Sequence, residues 1–316
     1  MKTTIIKRLI QLIPTLFGVS ILVFILLITS GDPVRAFLPA DATAEQIQEL
    51  RRQLHLDKPI YIQYGYWLKG ALVGDFGKSY ASQRPVAEDL VKRLPATLEL
   101  AVTTMFIATL VAVVVAVLSV RKPGGLFDGA ARTVIFVFLA MPAFWLGIEL
   151  IILFSRKIPL FPPAGRGHGS LFDHLQHLAL PALTLGVGMG AALCRVLRAS
   201  LLEVLQSDFI RTARAKGLSG WVVLIRHALR NALIPFVTLS GLSIAALLEG
   251  SIIVESIFAW PGIGSWMVEA IKGRDAPVVM VGVLLTALIY TTVNLIVDLL
   301  YAVIDPRIRL DGGAGR

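Results

Sequence analysis

The chain has 316 residues, 56% of them hydrophobic and only 16% charged, which excludes an ordinary water-soluble fold and makes the bilayer its natural solvent. The net charge of +9 raises the question of which loops hold the Lys and Arg, and is not by itself a nucleic-acid signature. A single cysteine, Cys194, excludes a disulfide framework or a Cys-x-x-Cys metal site built within the chain.

Lys2, Lys7 and Arg8 precede a nearly uncharged run over residues 9–28. About twenty such residues span the hydrocarbon, and a cleaved signal peptide has a shorter apolar core, so a retained first span is predicted. Residues 31–96 are too long for a connector, and three amphipathic stretches predict a small helical cap. Thr43 and Gln46 form a capping-box pattern ahead of Ile47, Leu50 and Leu54. Pro59 opens a second stretch that places Ile60, Tyr64, Trp67 and Leu72 near one face and ends at Gly74. A third groups Val86, Leu90 and Leu94. Gly77-Lys78-Ser79 fails as a phosphate-binding loop, because Leu72 occupies the place of the required glycine.

Further apolar runs cover residues 97–118, 133–154, 178–197, 232–253 and 279–303, giving six predicted spans in an all-α polytopic membrane protein. With the N-terminus cytoplasmic, the inner segments are rich in Lys and Arg and hold only Asp128, Glu203, Asp208, Asp305 and Asp311 as acids. The outer segments are nearly balanced, so both termini are expected inside. Pro14, Pro142, Pro181 and Pro235 mark expected kinks. Gly186, Gly188 and Gly190 offer a small-xxx-small approach, read first as packing within the chain. His168, Asp173, His174 and His177 gather before the fourth span without any standard metal-ligand spacing, so no metal site is expected.

Acids inside spans are costly and are expected to face protein or water. Glu149, Glu249 and Asp298 qualify, whereas Glu99 is expected at the headgroup level. Tyr290, Asn294, Asp298 and Tyr301 form a polar stripe expected to look into the bundle, lining a pathway or pinning helices. After the fifth span, residues 256–264 carry Phe258 and Trp260 beside Pro261-Gly262, too short for another span, and suit an outer gate or an interfacial anchor.

The cytoplasmic segment 207–235 reads as two short helices. Ser207 or Asp208 caps the first, and Gly217 takes the left-handed position after it, with Leu218 set to fold back. The second starts near Ser219 and runs towards Pro235, with Arg226 and Arg230 on one face. Ala213 and Ala215 permit close approach of a partner, and Arg211 and Arg214 supply charged hydrogen bonds. An ordinary basic loop attracted to anionic lipid is the competing reading.

Arg211-Thr212-Ala213-Arg214-Ala215-Lys216-Gly217 followed by His227-Ala228-Leu229-Arg230-Asn231-Ala232-Leu233-Ile234-Pro235 resembles the docking motif of ATP-binding-cassette importer permeases. The likeness is to the B-type subunit of the dipeptide, oligopeptide and nickel branch. Arg211 and Thr212 stand where the wider superfamily has Glu-Ala, and Arg230 where it has Pro, so a Glu-mediated contact does not carry over. Arg8-Leu9, Pro14-Thr15, Gly31-Asp32-Pro33, Gly74-Asp75-Phe76-Gly77 and the stretch from Gly250-Ser251 to Gly264 are also similar to that branch. The resemblance therefore covers almost the whole chain.

The resemblance implies a type I importer permease in the bacterial inner membrane. Residues 1–30 would be the first span, 31–96 an extracytoplasmic cap, 97–306 the core of five spans, and 307–316 a cytoplasmic tail. It implies a C-type permease partner, separate ATPases that bind the ATP and Mg, and an extracytoplasmic substrate-binding protein. The chain itself would bind no cofactor and hydrolyse nothing. Asp208, Arg211, Thr212, Ala213, Arg214, Ala215, Lys216, Gly217, Arg226 and Arg230 would form the coupling helix region. Glu149, Glu249, Asn294, Asp298, Phe258 and Trp260 are the pathway or gate candidates. The cargo stays open among dipeptides, oligopeptides, glutathione-like thiols and nickel chelates. An ion-coupled carrier and a transport-inactive scaffold are the alternative functions, the carrier resting on Glu149, Glu249 and Asp298.

Overall fold

The computed structural model describes residues 2–29, 34, 42–53, 55–167 and 169–304. Among them the secondary structure is helical except for one antiparallel bridge between Lys78 and Pro85. The chain divides into two compact units. The first joins the residues up to Thr97 with Pro261–Thr292, and the second joins Leu98–Trp260 with the residues from Val293 onward.

In the first unit, α1 (Lys2–Thr29) runs through Pro14. Helix α2 (Ala44–Gln53) opens with the expected reciprocal cap: Thr43 N–H donates to Gln46 Oε1 at 2.9 Å, and Gln46 N–H to Thr43 Oγ1 at 3.3 Å. Helix α3 (Ile60–Leu72) follows Pro59, and the chain turns at Gly74, whose φ of 82° suits glycine. Its Tyr64 and Trp67 pack against Val23 and Phe24 of α1 and against Met280. The Tyr64 hydroxyl lies 2.7 Å from Ser20 Oγ. Ile60 and Leu72, expected on the same face, are exposed. They lie in the end turns, whereas the contact with α1 is made by the middle of α3.

The expected third cap helix is not separate. Its residues are the first turns of α4 (Val86–Ser119), a 34-residue helix that continues through Pro95. The segment after Pro261-Gly262 is likewise more ordered than its turn signals suggest. It forms α11 (Ile263–Lys272), whose Trp266 and Ala270 close a small core with Val86, Val278 and Val281. The last two lie on α12 (Ala276–Ile304).

In the second unit, the kink expected at Pro142 in the span over 133–154 is a sharp break between α5 (Leu126–Ala140) and α6 (Ala143–Ile151, extended by a π-helical turn Ile152–Lys157), which meet at 103°. Pro142 causes the break: it offers no N–H, and it holds Met141 extended at φ −79°, ψ 127°. Helix α7 (Leu171–Val204) is the central helix, on which α5, α6 and α10 (Arg230–Ile257) pack. Between α7 and α10 come α8 (Asp208–Ala215) and α9 (Gly220–Val222), the latter joined to α10 by a π-helical stretch Val223–Leu229. The second short helix therefore does not stop at Pro235, which lies inside α10.

Four described helical stretches are long and apolar enough to cross a membrane, or five if the bent pair counts as one. The other expected span, residues 9–28, coincides with the 28-residue α1. Along α4 one i,i+4 row, Leu100, Thr104, Ala108, Ala112 and Ala116, is fully buried. The opposite row, Val102, Phe106, Leu110, Val114 and Leu118, is exposed and apolar, as a lipid-facing stripe must be. The buried row meets the glycines of α7. A Cβ on Gly186 would lie 2.9 Å from Ile107 Cγ2, and one on Gly190 would lie 3.1 Å from the Ala108 carbonyl oxygen. The close approach is thus made within the chain. Gly188 faces open space and takes no part.

Candidate functional site

The segment around α8 is a projecting knob built by local signals. Gly217 adopts φ 80°. Its N–H donates to the Arg214 carbonyl at 2.9 Å, and the Leu218 N–H to the Ala213 carbonyl at 3.4 Å, which together make a Schellman turn. Ser219 caps the next helix by accepting from Val222 N–H at 3.4 Å. The start of α8 differs from expectation. Ser207 Oγ donates back to the Val204 carbonyl at 2.6 Å, and Asp208 Oδ1 accepts from Arg211 Nη1 at 3.2 Å, so neither side chain caps the helix.

Arg211, Thr212, Arg214, Ala215, Lys216, Gly217, Arg226 and Arg230 are all exposed, as is Asp208. So are Phe209, Leu218, Trp221, Val222 and Ile225, which gives a basic surface with apolar footholds. Ala213 is a correction. It is buried with Ile210 in the chain's own core, so its small size serves the seating of α8, not the approach of a partner.

Two contacts tie this end of the second unit together, and neither was singled out from the sequence. The Arg121 guanidinium lies 5.3 Å from the Trp221 ring centre, linking the turn after α4 to α9. Arg198 of α7 holds Asp128 of α5 with two hydrogen bonds, and Asp128 also accepts from Gly124 N–H at 3.0 Å. Asp128 had counted only as one loop acid.

At the opposite end of α7, Phe258 and Trp260 are fully buried. Phe258 wedges over Gly147 of α6 beside Thr184 of α7: a Cβ on Gly147 would stand 3.2 Å from the Phe258 ring and 3.3 Å from Thr184 Cγ2. The Phe258 carbonyl accepts from Gly165 N–H at 2.8 Å. Trp260 lies under the Arg166 guanidinium, 5.8 Å from the ring centre, and beside the His174 ring. Arg166 Nη2 donates to Glu99 Oε2 at 2.8 Å, and His174 Nε2 meets Glu99 Oε1. The histidines thus have structural partners, with His177 Nδ1 2.8 Å from the Asp173 carbonyl. His168 lies outside the described residues.

Glu149 is exposed on α6 beside Phe144, Trp145 and Ile148, and faces away from the chain's own core. On α12 Asn294 is half-buried and Tyr290 is exposed. The side chains of Glu249, Asp298 and Tyr301 lie outside the described residues. In the first unit, Ser79 is buried against Asp275, which also accepts from the Tyr80 and Ala81 N–H groups, so the Gly77-Lys78-Ser79 loop is a brace.

Within the second unit, the long apolar helix α7 has the basic two-helix knob near one end and the packed aromatic pair near the other, an arrangement that suits a membrane permease. The chain belongs to the binding-protein-dependent transport system inner membrane component family, whose model matches residues 92–310, with the N-terminal model of that family matching residues 1–101. It is 42% identical over 306 residues to the glutathione transport system permease protein GsiC of Escherichia coli (strain K12), covering 96% of this chain and 98% of that one. The counterpart from Shigella flexneri serotype 5b is similar to the same degree. Among solved structures, the fold is similar to the inward-facing MetNI methionine ABC transporter, with a TM-score of 0.58 and 19% identity over 69% of this chain and 96% of that one. The chain is therefore a multi-pass inner-membrane permease subunit of an ATP-driven importer of the dipeptide, oligopeptide and nickel type.

Proposed function

We propose that this permease carries short peptides of the glutathione class, pairs with a second, C-type permease, and is driven by separate ATPases that dock on the 207–235 knob. The ATPases bind the ATP and Mg; this chain supplies half of the path and binds no nucleotide. Both termini and the knob lie on the cytoplasmic side, and residues 31–96 form a cap on the outer side, where a substrate-binding protein delivers cargo.

The observation that carries the docking reading is the knob itself. Arg211, Arg214, Lys216, Arg226 and Arg230 are exposed on the two helical segments joined by a hydrogen-bonded Schellman turn, with Phe209 and Trp221 exposed alongside. A lipid-attracted loop needs charge but no fixed turn. The end-to-end likeness to GsiC supports a glutathione-class peptide as cargo. Glu149 and Tyr290, exposed on apolar helices, suit surfaces covered by the second permease or by the aqueous path.

The test is ATP-dependent uptake into vesicles that contain this chain with its second permease, ATPases and binding protein, offered glutathione, a dipeptide and a nickel–histidine chelate. The reading expects peptide or glutathione uptake that stops without ATP. Uptake of nickel chelate alone, or uptake driven by a proton gradient without ATP, would contradict it.

A further inference from the structure

We propose that Glu99, Arg166 and His174 form a proton-dependent latch that closes the end of the second unit opposite the knob, with His174 as the sensing group. Both of its ring nitrogens face acceptors. Nε2 meets the Glu99 carboxylate, and Nδ1 lies 2.8 Å from the Arg166 carbonyl oxygen. A neutral imidazole has one N–H and one bare nitrogen, so it satisfies only one of these acceptors. The imidazolium satisfies both. The other Glu99 oxygen accepts from Arg166 Nη2, so each oxygen of the carboxylate has a partner in the latch.

The groups around His174 come from four elements. Glu99 belongs to α4, Arg166 to the loop before α7, and Asp173 and His177 to α7 itself, where they pair with each other. The segment after α10 contributes Trp260, whose N–H donates to the backbone carbonyl of the buried Glu255 at 2.8 Å. The latch thus joins α4, α7, the loop carrying Arg166 and the aromatic plug. Its side chains are 22% to 31% exposed, open enough for protons to exchange.

Loss of the proton leaves a bare ring nitrogen against an oxygen and removes one of the two positive partners of Glu99. What remains is the Arg166–Glu99 pair and the stack of Arg166 on Trp260, so the loop loosens without being released. Acidic conditions hold this end shut, and neutral to alkaline conditions favour its opening. None of this depends on the identity of the cargo.

The test uses spin labels at Leu98→Cys and Ala164→Cys in a Cys194→Ala background, with the full importer assembled in nanodiscs. Both labelled positions are exposed and belong to the same unit. At pH 6 a single short distance is expected. At pH 8.5 the ratio of separated to latched molecules rises about tenfold, the weight of one charged hydrogen bond. His174→Gln, which keeps one donor and one acceptor, abolishes that pH response. Identical distance distributions at the two pH values in the labelled parent would overturn the latch, as would an unchanged response in His174→Gln. Because the readout is a distance, failure of the cargo assignment leaves it intact.

Discussion

Arg198 of α7 reaches Asp128 of α5 with two charged hydrogen bonds, Nε to Oδ1 at 2.7 Å and Nη2 to Oδ2 at 2.8 Å. The Asp128 side chain is wholly buried, and Arg132 stands a further 3.7 Å away. The pair anchors the α4–α5 turn, which also carries Arg121 onto Trp221. The knob is thus joined to α7 through this turn as well as along the chain.

Removing one partner of a buried ion pair leaves the other charge stranded, at a cost of about 3–5 kcal/mol. Arg198→Ala should lower the thermal unfolding midpoint of the purified importer sharply. Arg198→Met combined with Asp128→Leu should recover most of the loss, because no charge is then left buried. A double variant no better than the single one would show that the pair does not act as a unit.

The glycines of α7 make a sharper contrast. Gly190→Leu forces α7 away from the Ala108 backbone and should destabilise by about 1–3 kcal/mol. Gly188→Ala meets nothing within 4 Å and, in a helix, should be neutral or slightly stabilising. Comparing the two by thermal unfolding in detergent checks the assignment of the close face.

Asp275 braces the 79–81 loop and also bears on Tyr80. Burial first, and the Asp275 charge second, push the Tyr80 phenol up to about 12. A phenol raised in the folded state stabilises below its ordinary value of about 10, and that stability is lost as pH rises towards the folded value. Phenolate absorbance should show a tyrosine titrating near 12 that disappears in Tyr80→Phe. Asp275→Asn should bring it part of the way down, since burial remains. Asp275→Ala, which strands the Ser79 hydroxyl and two N–H groups, should expose the loop to protease.

Local signals were legible in the sequence because their partners are close in the chain. The Thr43–Gln46 cap and the Gly217 turn are set by neighbours within a few residues. The break at Pro142 was readable in place but not in angle, because 103° depends on how α6 seats Gly147 beneath Phe258. The Asp275–Ser79 brace joins residues 196 apart, and no periodicity reports such a contact. Helix α11 was missed because Pro261-Gly262 reads as a turn and the apolar run after it is too short for a span. Ala213 misled for a related reason: a small residue in a basic helix suits a partner's cleft as well as its own core.

The most direct measurement of the central claim is attachment of the ATPases to the knob, read together with coupled transport. The imported complex would be purified through this chain, with Arg214→Glu and Gly217→Val compared against the parent. Valine at φ 80° is strained by about 1–2 kcal/mol and should distort the turn, while Arg214→Glu reverses a charge without touching the core. The account predicts that both variants keep the second permease but lose most of the ATPase and of ATP-driven uptake. Full ATPase attachment and uptake in both would contradict it.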